Sequence, residues 1–143
     1  MKRRKRMQFW GETDDDDSLV REIERGEKTA TVCKADEYEL SEGDCDDGGW
    51  AVGELVEVYD LKKNLRCLIE ITEVYRVTWS SIPEKLWKEE VCRSEEHFKE
   101  AHMHCWPEYE IDDHFEMMAT HFKLIEVFDP PEGKSEAVGS RNG

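Results

Sequence analysis

The segment Gly26-Glu27-Lys28-Thr29-Ala30-Thr31 puts a lysine amine and two threonine hydroxyls close together in the chain. A lysine beside hydroxyls binds a phosphate or a carboxylate. If withdrawn from water, it serves as a base or nucleophile through a lowered pKa. Lys28, Thr29 and Thr31 are therefore the first candidates for chemistry. Taken alone they are also compatible with ordinary roles, because most lysines near turns are solvated and threonine is favoured in strands.

The elements around this segment decide which of these side chains meet. Ser18 is placed to cap a helix running to about Arg25, with Leu19, Val20 and Ile23 on one face. Gly26 stands where a helix C-terminus favours a residue tolerant of positive φ. Thr29, Thr31 and Val32 then read as the start of a strand reaching Lys34. Regular alternation would put Thr29 and Thr31 on one face and Lys28 with Ala30 on the other, so Lys28 and Thr31 converge only if the chain bends.

The chain has 143 residues, which suits one domain able to bury about two thirds of its unfolded surface. Hydrophobic and charged residues each make up 38%, and five Trp, five Phe and four Tyr supply bulky core material. The net charge of −15 argues against broad duplex binding, which needs a basic face, but leaves room for a local basic groove. Its distribution is uneven: Lys2 to Arg6 form a basic head and Asp14 to Asp17 an acidic run, both expected to be solvated. No apolar run is long enough to cross a bilayer, and the basic start is not followed by a secretory apolar stretch, so a cytoplasmic location is expected. Five cysteines, odd in number and without CxxC spacing, point to reduced thiols, with Cys33 and Cys67 in the core.

Residues 1–7 read as a flexible basic lead and residues 129–143 as a disordered tail around a domain at 8–128. The acidic, glycine-ended stretch 36–49 reads as an exposed loop. Leu55, Val58 and Tyr59 predict a strand, Lys62-Lys63-Asn64 a turn, and Leu65 to about Trp79 a second strand. Pro83 suits the first turn of a helix carrying Leu86 and Trp87. Ser94 with Glu95 and Glu96 predicts a capped helix through Trp106, stopped by Pro107. Phe122 to Phe128 read as a closing strand. This order, without regular βαβ alternation, predicts an α+β domain with a mostly antiparallel sheet that closes into a small barrel.

Phe9-Trp10-Gly11, the Gly26-x-Lys28-Thr29-x-Thr31 motif, Val52-Gly53-Glu54, the strand Leu68 to Val74, Ser94 to His102 and Phe122-Lys123-Leu124-Ile125 together resemble the ASCH domain family. The resemblance spans about residues 8 to 128. It implies a small PUA-like β-barrel flanked by helices and a role with RNA or a modified nucleoside. One branch of the family hydrolyses the acetyl amide of N4-acetylcytidine with a lysine, a threonine and a glutamate. By motif these fall on Lys28, Thr31 and Glu90, with Glu89 as the alternative because Val91 stands where many larger members have a glycine. Another branch resembles ribonucleases.

Three readings follow. In RNA processing, put first here as a ribonuclease, Lys28 stabilises the scissile phosphate while Glu90 or a histidine moves protons. In amide hydrolysis, Thr31 attacks, Lys28 is the base and Glu90 orients it or carries a proton. In simple RNA binding, Lys28 contacts phosphate and Trp10, Trp50 or Tyr75 stack on bases. Thr29 is placed with the substrate-binding residues, as is His102, since family members often carry a histidine near the end of this helix. The five histidines fall between residues 97 and 121 without metal-site spacing; only His102 and Cys105 stand at i, i+3. No metal site or cofactor is therefore assigned, and a divalent ion is left open.

Overall fold

A computed structural model of the chain describes residues 4–9, 11–35 and 49–128. In chain order the elements are β1 (Lys5–Gln8), α1 (Ser18–Glu24), β2 (Ala30–Lys34), β3 (Leu55–Tyr59), β4 (Leu65–Thr78), α2 (Glu84–Glu89), α3 (Glu95–Cys105) and β5 (Glu116–Val127). The five strands form one curled, mixed sheet in the order β1-β3-β4-β5-β2, a half-barrel with helices against it. β1 runs parallel to β3, and the other three pairings are antiparallel. No helix among the described residues is long and apolar enough to cross a membrane.

The expected hairpin is present, and β4 explains the curl. This 14-residue strand pairs with β3 along its first half and with β5 along its length. Register breaks between Leu68 and Ile69 and between Ile71 and Glu73 add bulges that bend the strand and sharpen its twist. At the hairpin turn the Asp60 carboxylate accepts from the backbone N–H groups of Lys62 and Asn64. Arg66 then binds Asp17 at 2.7 Å, Glu24 at 3.1 Å and Asp60 at 3.2 Å, tying α1 to this turn.

Two expectations are corrected here. The lead assigned to residues 1–7 includes most of β1: Lys5 pairs with Val56 and Met7 with Val58, and Met7 is buried while Arg6 and Gln8 face out. One apolar residue among cations suffices because long basic side chains keep their heads in water. The cap of α1 is also displaced. Asp17 is the N-cap, and Ser18, the first helical residue, is held by Asp16, whose Oδ1 accepts from both its N–H and its hydroxyl. Trp10, the loop through residue 48 and the tail from 129 lie outside the described residues.

The core has two parts. Met7, Phe9, Val20, Ile23, Trp50 and Ile69 pack under α1. Val32, Trp79, Leu86, Phe98, Trp106 and Phe115 pack under α2 and α3. Cys33 and Cys67 are buried as expected, and burial pushes the Cys67 thiol up to about 12, which keeps it unreactive.

Candidate functional site

The bend required to bring Lys28 and Thr31 together is built by the end of α1. Gly26 adopts φ +78° and its N–H donates to Ile23, while the N–H groups of Glu27 and Lys28 both donate to the Glu22 carbonyl. The chain therefore reverses before β2 begins at Ala30, and residues 27–29 are outside the strand. Lys28 turns inward and is almost fully buried, although lysine is rarely so without a partner.

Its partner is Glu90. Lys28 Nζ lies 2.8 Å from Glu90 Oε1, with side-chain exposures of only 2% and 6%. Glu90 follows the last residue of α2, and Val91 after it takes φ 65°. This is the left-handed conformation that glycine adopts freely and a β-branched residue resists. Val91 therefore holds a strained backbone conformation that a glycine would adopt without steric cost. Relieving about 1–2 kcal/mol of that strain against about 0.5–1 kcal/mol of added glycine entropy, Val91→Gly should be neutral to slightly stabilising in urea unfolding. An exposed valine in relaxed backbone would instead lose stability on the same change.

Burial by itself would push the Glu90 carboxyl up. The Lys28 charge, followed by His102, outweighs it and holds the group at about 2. His102 Nε2 stands 3.4 Å from Glu90 Oε2, while its Nδ1 is 2.8 Å from the Phe98 carbonyl and must carry the hydrogen there. In the neutral ring Nε2 is then a lone pair and offers Oε2 nothing to accept; His102 lowers the Glu90 carboxyl only through its protonated ring. Among the described residues, Glu90 Oε2 is a buried oxygen without a hydrogen-bond partner.

Glu90 lines a pocket of about 70 Å³ where the two halves of the core meet. Gln8, Lys28, Thr31, Glu90, His102 and Thr120 supply its polar lining, and Phe9, Trp50 and Trp106 supply aromatic walls. Lys28 Nζ sits 5.8 Å from the Phe9 ring centroid, a cation–π contact. Lys28 is the only Lys or Arg among the described lining residues, and Glu90 already balances it.

The structure thus gathers Lys28, Thr31, Glu90, Trp50 and His102 in one pocket and makes Glu90, not Glu89, its carboxylate. Thr29 and Tyr75 are not part of the lining. Thr29 Oγ1 donates to Glu89 Oε1 at 3.0 Å, and the Tyr75 hydroxyl lies 2.7 Å from His121 Nε2. Thr120, which faces Thr31 across the β2–β5 pair, joins the site without any motif to announce it. No group of three or more His, Cys, Asp or Glu among the described residues could hold a metal.

The ASCH domain family matches residues 5–126. The chain belongs to this family. Solved structures, ASCH domains among them, share its fold at low sequence identity. Protein EF3133 from Enterococcus faecalis V583 superposes with a TM-score of 0.71 at 15% identity, covering 89% of this chain and 79% of that one. The ASCH domain from Lactobacillus crispatus JV V101 gives 0.68 at 20% identity, covering 85% and 80%. ASCH from Zymomonas mobilis gives 0.53 at 11%, covering 87% and 70%. No curated protein matches the sequence.

Proposed function

We propose that this ASCH protein hydrolyses the amide of an N-acylated nucleoside of the N4-acetylcytidine type, with Thr31 as nucleophile, Lys28 as base and Glu90 as proton carrier. The observation that carries the reading is the buried Lys28–Glu90 pair lining an aromatic pocket, with Glu90 Oε2 lacking a hydrogen bond. An amide N–H is the donor such an oxygen lacks. The room is about 70 Å³. It suits an acyl group and the edge of a base, with the sugar directed outward, better than a phosphodiester flanked by two sugars. The balanced charge of the pair also leaves little excess positive potential for phosphate.

The step balances within the named groups. A proton passes from Lys28 Nζ to Glu90 Oε1, leaving a neutral amine and a carboxylic acid. Ligand that excludes water favours this neutral pair, because desolvation disfavours both charged forms. Lys28 then takes the Thr31 proton as Oγ1 attacks the acyl carbon. Glu90 returns its proton to the departing nitrogen, the C–N bond breaks, and an acyl-threonine remains. Water then attacks the acyl carbon as Glu90 takes its proton; the ester C–O bond breaks as Lys28 returns a proton to Thr31 Oγ1, the acid leaves, and the proton on Glu90 passes to the neutral Lys28, restoring the charged pair.

The test is incubation of the protein with N4-acetylcytidine and, separately, with single-stranded RNA, followed by chromatography. Cytidine should appear from the first and no fragments from the second. RNA cleavage without deacetylation would replace this reading with the ribonuclease one, and salt-dependent RNA retention without either reaction would favour simple binding.

A further inference from the structure

The pocket uses Lys28 and Glu90, but the residues beside them, Thr29 and Glu89, carry a second and separate set of partly buried bonds. Thr29 N–H donates to the Glu89 carbonyl at 2.9 Å, and Thr29 Oγ1 donates to Glu89 Oε1 at 3.0 Å. The same Oε1 lies 2.7 Å from His121 Nδ1, and His121 Nε2 lies 2.7 Å from the Tyr75 hydroxyl. His121 is 1% exposed, and its ring stacks on Tyr75 with centroids 5.4 Å apart.

The chemistry of the chain fixes its direction. An ionised Glu89 only accepts, so His121 carries hydrogen on Nδ1 and, when neutral, presents Nε2 as the acceptor for Tyr75 O–H. Each hydrogen bond in the line Tyr75–His121–Glu89–Thr29 then has one donor and one acceptor. Burial pushes the Tyr75 hydroxyl up to about 12, with Glu73 and Glu89 adding to it, so the phenol stays protonated and remains a donor. Tyr75 comes from β4, His121 from β5, Glu89 from α2 and Thr29 from the turn before β2. The sheet thus grips the two segments that present Lys28 and Glu90, at the residue next to each.

We infer that Thr29, Glu89, His121 and Tyr75 are positioning residues that hold the Lys28–Glu90 pair in register, one peptide away from the groups they align. This rests on the reading of that pair as the working groups of the pocket. A one-residue offset matters because such pairs lose function with misplacements on the order of 1 Å. Thr29 therefore serves the site through Glu89 rather than by touching a ligand.

The test uses the full chain with Thr29→Val, which keeps the shape and removes the hydroxyl, Thr29→Ser, which restores it, and Tyr75→Phe, which removes only the terminal oxygen. The readout is the Glu90 side-chain carboxyl signal in carbon NMR across an acid titration, which needs no substrate. In the wild type and in Thr29→Ser the group should stay ionised through the ordinary carboxylate range. Thr29→Val and Tyr75→Phe should raise its midpoint by about one pH unit. Where N4-acetylcytidine is turned over, the same two variants should lose kcat about tenfold with KM little changed, as for a misaligned catalytic pair. A Glu90 midpoint in Thr29→Val equal to that of the wild type would overturn the inference, as would a Thr29→Ser profile shifted as far as that of Thr29→Val. Absence of deacetylation in the wild type would count against the proposed reaction alone, and the titration would still decide the positioning role.

Discussion

Lys28→Met should lower deacetylation of N4-acetylcytidine by about 10²–10⁴-fold, the usual contribution of a positioned acid or base. The methionine fills the same apolar space beside Phe9 but offers no proton acceptor to Thr31. Thr31→Val should fall at least as far, because it removes the attacking oxygen, whereas Thr31→Ser keeps a hydroxyl and should retain measurable turnover. If Lys28 were only a phosphate contact, deacetylation would be indifferent to it. Turnover measured by chromatography for the four proteins separates these cases.

The second large effect is on stability. Removing one member of a buried ion pair leaves the other uncompensated, at a cost of about 3–5 kcal/mol, while replacing both by apolar residues is often neutral or stabilising. Lys28→Met and Glu90→Leu should each fall in that range by urea unfolding. The double variant should lie well above either, an interaction that a cycle of the four proteins measures directly. The pH dependence has a definite sign. The Glu90 carboxyl is depressed from 4.5 to about 2 in the folded protein, so its pairing stabilises fully above the ordinary carboxylate range and is lost as pH falls towards 2. In Lys28→Met, burial pushes Glu90 up, opposed by His102, so the folded variant takes up a proton early. The deficit of Lys28→Met relative to the wild type should therefore shrink as pH falls from 7 towards 4.

What could be read from the sequence follows the range of the interactions involved. The β3–β4 hairpin and the Ser94 cap depend on neighbours a few residues apart. Ser94 Oγ accepts from His97 N–H as the local pattern predicts. β1 was hidden because its one buried residue, Met7, is surrounded by cations and pairs with a strand 51 positions further on (Met7 with Val58). Strand alternation puts Thr29 with Thr31, but the strand starts at Ala30, so the Thr29 hydroxyl points to Glu89 instead. Tyr75 lies beyond the break between Ile71 and Glu73, where β4 shifts register against β5 and simple alternation no longer assigns faces. His121 and Thr120 sit inside an apolar strand without a motif, and only the pairing with β2 shows which part of the site each supports.

The convergence of Lys28, Thr31 and Glu90 was legible only through the family resemblance, since 62 positions separate the lysine from its carboxylate. Nothing local to Lys88-Glu89-Glu90-Val91 distinguishes one glutamate from the other. The distinction comes from the end of α2, where Glu89 turns to the sheet and Glu90 to the pocket.

The most direct measurement is N4-acetylcytidine turnover by the wild-type chain beside the Lys28→Met/Glu90→Leu double variant, both first shown to be folded by their melting curves. The wild type should release cytidine and acetate in equal amounts, and the double variant should release neither. Intact substrate in both samples, or equal release from both, would contradict the assignment of amide hydrolysis to this pocket.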